Sequence, residues 1–381
     1  MRWLDDEIRA LDQRHLLRKP VRTTPLGPTH AIIDDRPVTV FCGNDYLGLR
    51  FDPDVVAAAR DGLKHGTGAG ASRMVSGNLP EHEALESDLA RLTGTESALL
   101  TSSGFAANIA TLECLAGPED VVFSDALNHA SLIDGCRLSR ARVVVFPHRD
   151  AEALTGSIAA ARPFRRGWIV TESVFSMDGD LAPLTRYSEL ATRENLGLYV
   201  DEAHAVGVLG PDGAGESAAV RVRPDVLVGT LGKAFGTAGA FIAGSIALRT
   251  FLWSRHRGHV FSTGTPPATA AAASKAIALV RSRPALREQL RHNGHRLRAR
   301  LGELGIQTTS HPDAPILPIV IGDEQRALEV GRALLERGFF VQPIRPPTVP
   351  AGTARLRVTV SAAHTEEQID SFARALSASL S

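Results

Sequence analysis

One lysine stands in an apolar, glycine-rich run, "VGTLGKAFGTAGA", at residues 228–240. Of 42 Lys and Arg residues only four are lysine, namely Lys19, Lys64, Lys233 and Lys275. A chain that writes its positive charge as arginine has kept an amine at this point. Arginine stays protonated in proteins, whereas a lysine can lose its proton and attack a carbonyl. Most lysines are solvated surface groups, so Lys233 acquires meaning only from its company. Other apolar runs end in residue types that chemistry uses. "ALLTSS" leads into Ser102, Ser103, Gly104 and Phe105, a small-residue turn before a helix start, which suits a phosphate. "DVVFSDA" is followed by Asn128, His129, Ala130 and Ser131, and "WIVTESV" by Phe175, Ser176, Met177 and Asp178. "LGLYV" runs into Asp201, Glu202, Ala203 and His204, and "DVLVG" into Thr230, Leu231, Gly232 and Lys233. Singly, each has a plain explanation: a helix cap, a core histidine, a loop carboxylate. Together they offer phosphate donors, two imidazoles, an acid and an amine.

Such residues must be held by regular elements. Seven short apolar runs, "SALLTSSG", "DVVFSDA", "ARVVVFPH", "GWIVTESV", "LGLYVDEA", "DVLVGTLG" and "GAFIAGS", read as buried strands. Helical segments such as "EHEALESDLARL" and "APLTRYSELATREN" lie between most of them. That alternation predicts an α/β fold with a mainly parallel seven-stranded sheet covered on both faces. In such sheets ligands gather at the carboxyl ends of the strands, where the chemical residues sit. Residues 1–44 read as an N-terminal helix, reaching about residue 20, and a Pro- and Gly-rich connection. Trp3, Leu4, Ile8, Leu11 and Leu16 fall on one face of that helix. Residues 45–285 form the large α/β domain, and residues 286–381 a small α+β domain with an antiparallel sheet. Its last helix opens with a capping box, Thr365 with Gln368.

Composition closes off several function classes. The chain of 381 residues has 42 acidic and 42 basic side chains, so bulk charge gives no reason to expect nucleic acid or an anionic membrane as partner. Cys42, Cys114 and Cys136 form no CxxC pair, and thirteen histidines make no HExxH-like cluster, so neither a disulfide framework nor a metal site is expected. No apolar run reaches the length of a membrane span. The acidic N-terminus lacks a secretory core, which predicts a cytoplasmic protein. "DEAH" and "GK" suggest a nucleotide motor, but the phosphate loop fails on spacing. Its first glycine position holds Leu227, and Ala234 replaces the following Ser or Thr.

An aldehyde cofactor with a phosphate and a ring nitrogen accounts for every element. Pyridoxal 5′-phosphate (PLP) condenses with a lysine as a Schiff base and needs an acid on its pyridinium nitrogen. Asp201 supplies that charge, His129 can stack on the ring, and His204 and Ser176 can bond its phenolic oxygen.

The runs "NDYLGL", "SSGFAAN", "NHASLIDGCRLSRA", "TESVFSMDGDLAPL", "VDEAHAVGVLG", "TLGKAFGTAGA", "FSTGTPP" and "IRPPTVPAGTARLRVTVSAAHT" occur in one order over roughly residues 44 to 365. In these the chain resembles the α-oxoamine synthase family of fold-type I PLP enzymes. The resemblance implies a homodimer with its active site at the subunit interface and decarboxylative condensation of an amino acid with an acyl-CoA. It gives Lys233 the Schiff-base role and the abstraction of the substrate α-proton. Asp201, His129, His204 and Ser176 keep the roles above. Thr230 and the backbone of Gly104 and Phe105 take the phosphate, joined by Thr263 from the other subunit. Asn44 and Arg357 match the contacts to the substrate carboxylate, and Arg18 and Thr348 those to the acyl substrate. One departure is Gly232, where many relatives carry Ser, at the expense of one phosphate hydrogen bond. The run "RPPTVPAGTARLR" favours the branch using L-alanine and a pimeloyl thioester. Ser72 in "GAGASR", smaller than the Thr of glycine-restricted relatives, agrees. A glycine-using α-oxoamine synthase is the alternative.

Overall fold

The computed structural model describes residues 2–381. Contacts divide the chain into two compact units. One comprises Leu49–Ser176 with Leu181–Arg287; the other comprises the residues through Gly48, Met177–Asp180 and Glu288–Ser381. The N-terminal stretch therefore clusters with the C-terminal residues instead of standing apart.

The first helix spans Arg2–Gln13, shorter than its apolar stripe suggests. His15 adopts a left-handed conformation (φ 56°), and the Leu16 N–H turns back to the Leu11 carbonyl at 2.8 Å. This closes the helix early and leaves Leu16 beyond its end. Trp3 and Ile8 are exposed, so the stripe covers no core within the chain. The expected connection after it contains three strands: β1 (Thr23–Pro25), β2 (His30–Ile33) and β3 (Arg36–Val40). They form an antiparallel meander turned by Asp34 and Asp35, both at positive φ. Short, half-polar strands of this kind carry almost no periodic signal.

The large unit holds the seven expected strands: β4 (Ser97–Thr101), β5 (Val121–Asp125), β6 (Arg142–Phe146), β7 (Gly167–Glu172), β8 (Gly197–Asp201), β9 (Val226–Thr230) and β10 (Ala240–Gly244). Their order is β4-β10-β9-β8-β7-β5-β6, and only β10 runs antiparallel to its neighbours. Successive side chains alternate between faces. Phe123, Phe146, Ile169, Leu198 and Val200 pack with Leu154, Ile158, Leu184, Tyr187 and Leu190 of the helices Ala151–Ala161 and Leu184–Glu194. Val122, Val170, Tyr199, Val226, Val228 and Ile242 pack on the other face with Ala107, Leu112, Leu132 and Cys136. Each fully buried Leu, Ile or Phe contributes about 1.5–3 kcal/mol. Two-sided burial explains why the strands other than β6 read as continuous apolar runs; β6, at the sheet edge, leaves Val143 and Val145 exposed. Side-chain caps start the helices: Asp52, Ser103, Asp150 and Ser245 each accept a backbone N–H of the first turn.

In the other unit β11 (Ile316–Gly322), β12 (Phe339–Phe340), β13 (Pro343–Ile344) and β14 (Ala354–Thr359) follow. β11, β14 and β13 form the expected antiparallel sheet, with β14 in the middle. The run "GFFVQPI" splits: β12 leaves that sheet and pairs parallel with β3. The helix Glu366–Leu380 begins with the capping box, Thr365 and Gln368 each bonding the other's backbone N–H.

The three cysteines are unpaired, and burial pushes their thiols up, to about 11 for Cys42 and Cys114 and about 12 for Cys136. They are poor nucleophiles. Among the described residues no helix is long and apolar enough to cross a membrane, and no cluster of three or more His, Cys, Asp or Glu could hold a metal ion.

Candidate active site

The strand order brings four chemical residues to one edge. β9, β8, β7 and β5 are successive parallel neighbours, so their carboxyl ends lie side by side. Lys233 follows β9, Asp201 ends β8, Glu172 ends β7, and His129 follows β5. These residues are far apart in sequence. Parallel pairing alone aligns them.

Lys233 is half-buried, its Nζ 3.0 Å from His204 Nε2. The turn carrying it depends on Gly236, whose φ is +65° and whose absent Cβ would lie 2.4 Å from the Arg50 backbone nitrogen. No other residue type fits there. His204 is buried, as is Ser176, whose N–H donates to Glu172 Oε2 at 3.2 Å.

Asp201 is 6% exposed. Its Oδ1 accepts from the Ala203 N–H at 2.9 Å and its Oδ2 from Asn108 Nδ2 at 2.7 Å. His129 is exposed, yet protein packs close around its ring. That surrounding low-dielectric material lowers its pKa; the nearby Asp201 acts to raise it and Lys233 to lower it further. Its Nδ1 accepts from the Ser131 N–H at 3.2 Å and lies 2.8 Å from the Ser131 hydroxyl. A neutral ring therefore carries its proton on Nε2.

Several contributors escaped the sequence reading. Asn108, buried on the helix Gly104–Leu115, gives its Nδ2 to Asp201 and to Ser131 Oγ (2.9 Å) and accepts at Oδ1 from the Tyr199 hydroxyl at 2.8 Å. Tyr199 and Asp201 stand two apart on β8 and so share a face, the one signal that could have linked them. Glu172 is buried, and burial first, then Asp201, pushes its carboxyl up to about 8 against the pull of Lys233. The backbone N–H groups of His129 and Ser176 both act to lower that pKa, and the Ser176 N–H bonds its Oε2. Glu202 of "DEAH" is fully buried and accepts from Ser173 Oγ, the Glu216 N–H and both donors of Ser217. It anchors the loop after β8.

These groups fit PLP. The Ser103 hydroxyl accepts from the Ala106 N–H at 3.2 Å, leaving the first-turn N–H groups of Gly104 and Phe105 to a ligand. A Cβ on Gly104 would meet nothing within 4 Å, so the glycine borders open space. The Thr230 hydroxyl donates to the Gly239 carbonyl at 3.1 Å and accepts from the Gly232 N–H at 3.3 Å. It must rotate to serve a phosphate. A Cβ on Gly232 would find only ordinary contacts, the Thr237 carbonyl at 3.6 Å and Thr230 Oγ1 at 3.7 Å. A serine would fit, so crowding does not impose the glycine here. Thr263 is exposed and forms an isolated bridge with Ser72, whose hydroxyl donates to the Val260 carbonyl at 2.9 Å.

The second unit assembles the remaining predicted residues in two groups. Arg357, 7% exposed on β14, donates to Asn44 Oδ1 at 3.3 Å and to the Tyr46 hydroxyl at 3.4 Å. Burial raises the Tyr46 pKa, while Arg357 works against the rise. Arg18 donates to Thr348 Oγ1 at 3.1 Å. Arg345, unnoticed in the sequence, is buried beside them and donates to the His15 carbonyl. Desolvation and the neighbouring Arg18 lower its pKa.

The family model of class I and II aminotransferases matches residues 36–376. The 8-amino-7-oxononanoate synthase of Anaeromyxobacter dehalogenans (strain 2CP-1) is 49% identical, the match covering 99% of this chain and 95% of that relative. Among solved structures, serine palmitoyltransferase from S. paucimobilis, with a PLP–myriocin adduct bound, superposes with a TM-score of 0.93 at 31% identity. That match covers 99% of this chain and 96% of the other. The 8-amino-7-oxononanoate synthase of Francisella tularensis gives 0.76 at 28% identity over 90% and 97% of the two chains. The chain thus belongs to the class I and II aminotransferase family of fold-type I PLP enzymes and, within it, to the family of the 8-amino-7-oxononanoate synthases.

Proposed function

We propose that the protein condenses L-alanine with pimeloyl-CoA, or another pimeloyl thioester, to 8-amino-7-oxononanoate, carbon dioxide and the free thiol, in biotin biosynthesis. The observation that carries the reaction type is the Lys233 amine against His204 at the strand edge that also bears Asp201. When bound, PLP supplies an electron sink through its protonated ring nitrogen. Asp201 provides the anion that keeps that nitrogen protonated. His129 would stack on the ring, and His204 and Ser176 would hold its phenolic oxygen. Gly104, Phe105 and Thr230 take the phosphate. Lys233 Nζ removes the proton from the amino-acid Cα. Arg357, with Asn44, holds the amino-acid carboxylate, since a guanidinium fork suits a planar anion.

The acyl group is suggested by Arg18 and Arg345. Two guanidiniums lie together, and neither pairs with a carboxylate among the described residues. A dicarboxylic acyl chain brings its own distal carboxylate to such a place; an acetyl group brings none. Product identification by mass, with alanine or glycine and a panel of acyl thioesters, tests the assignment. Alanine with the pimeloyl thioester should give the highest kcat/KM. A methyl group is worth about 1–3 kcal/mol of discrimination, so glycine should react about 10- to 200-fold more slowly. Clear preference for glycine with acetyl- or succinyl-CoA would move the function to the glycine-using branch.

The active enzyme is a homodimer in this reading, with Thr263 donated to the phosphate site of the second copy. Met74, Val75 and Phe261 are exposed on the segments joined by the Ser72–Thr263 bridge, and apolar surface of this sort favours an interface. A Lys233→Ala protomer mixed with a Thr263→Ala protomer would then form hybrids with one undamaged site. Activity should return on mixing; verified hybrids no more active than their parents would refute shared sites. The three unpaired thiols suit the reducing cytoplasm.

A further inference from the structure

The hydrogen bonds around Asn108 have a direction. An ionised carboxylate can only accept, so the amide nitrogen of Asn108 must face Asp201 Oδ2, 2.7 Å away. Its second N–H is then committed to Ser131 Oγ at 2.9 Å, and its Oδ1 receives the Tyr199 hydroxyl at 2.8 Å. Because Ser131 Oγ accepts from Asn108, its own proton is free to go to His129 Nδ1, 2.8 Å away. All five residues except His129 are buried, and Asn108, Ser131 and Tyr199 are almost wholly so. Water cannot replace a missing partner cheaply there.

We infer that Asn108 is a positioning residue that sets the Asp201 carboxylate and the His129 ring together. It sits one turn into the helix Gly104–Leu115, whose first N–H groups form the phosphate end of the site. One side chain therefore keeps three cofactor contacts in a common frame: the acid under the ring nitrogen, the stacked imidazole and the phosphate-binding turn. Tyr199 acts one step further out, by fixing which way the amide points. This inference rests on the placement of PLP proposed above.

The experiment measures PLP affinity, together with the pH dependence of the bound cofactor's absorbance. It compares the unaltered protein with Asn108→Ala, Tyr199→Phe, Asp201→Asn and the double variant Asn108→Ala/Asp201→Asn. Thermal melts of the apoproteins accompany each. Hydrogen bonds to charged groups are strong enough that Asn108→Ala should weaken PLP about 10- to 100-fold. Tyr199→Phe, which keeps the buried ring and removes only the hydroxyl, should have a smaller effect of the same kind and covers the case in which Asn108→Ala folds poorly. In the Asp201→Asn background the further loss on removing Asn108 should be several-fold smaller, limited to the part that runs through Ser131 and His129, because residues acting through one another are not additive. Losses that add in full, or an Asn108→Ala protein that binds PLP like the parent with an unchanged absorbance profile, would overturn the inference. Failure of the unaltered chain to bind PLP would instead overturn the cofactor placement, and this inference with it.

Discussion

Lys233→Ala should lose at least about 10³-fold in kcat/KM, since a positioned general base alone contributes about 10²–10⁴-fold and this amine is also the proposed covalent anchor. Borohydride treatment of the loaded protein should fix the cofactor to the peptide containing Lys233, and the variant should take up no such label. The choice among lysines follows from position. Lys64 is exposed and pairs with Asp61 at 3.2 Å. Lys275 lies within the helix Pro267–Ser282. Lys233 alone follows the carboxyl end of a parallel strand, against an imidazole. Its half-buried side chain supports little packing, so the melting temperature should hardly move. A label on Lys64 or Lys275 would refute the assignment.

Asp201→Asn should retain cofactor yet lose most α-proton exchange, by about 10²–10³-fold, the scale for removing one preorganised electrostatic partner. The neutral amide cannot keep the ring nitrogen protonated, so the carbanionic charge has nowhere favourable to go. A second effect follows from the geometry. Both Asp201 oxygens accept hydrogen bonds, from Ala203 N–H and Asn108 Nδ2. An asparagine has one oxygen, so one of these donors must face an NH₂ group. An unmatched buried donor costs about 1–3 kcal/mol, so some loss of stability should accompany the loss of exchange. Exchange of the alanine α-hydrogen in D₂O, followed by NMR, measures the chemical effect, and a melt measures the other. Exchange at the parental rate would give Asp201 another role.

What the amino-acid order determined is the set of parts. Six of the seven apolar runs became β4, β5 and β7 to β10 because strands buried on both faces must be apolar along their length; the edge strand β6 kept its apolar run although Val143 and Val145 are exposed. Chemical residues at the ends of those runs were legible for a related reason. A parallel strand delivers its carboxyl end to the ligand edge, so local sequence already says which residues will be there. Ser103 and Thr365 were readable as caps because capping is a contact within one turn.

What only the tertiary structure decided is which parts meet. The sequence could not place β10 antiparallel between β4 and β9, nor lift Phe339–Phe340 out of one sheet to pair with β3, because two-residue strands have no period to read. The first helix stopped at Gln13 through a left-handed His15 that no apolar stripe announces. The partners of Asp201 were hidden most completely. Asn108 lies 93 residues from Asp201 and 23 from Ser131, and an asparagine in a helix looks the same whether solvated or buried. A polar side chain takes its role from the donors and acceptors that folding brings within 3 Å of it, and those are fixed by strand order, which is a property of the whole chain.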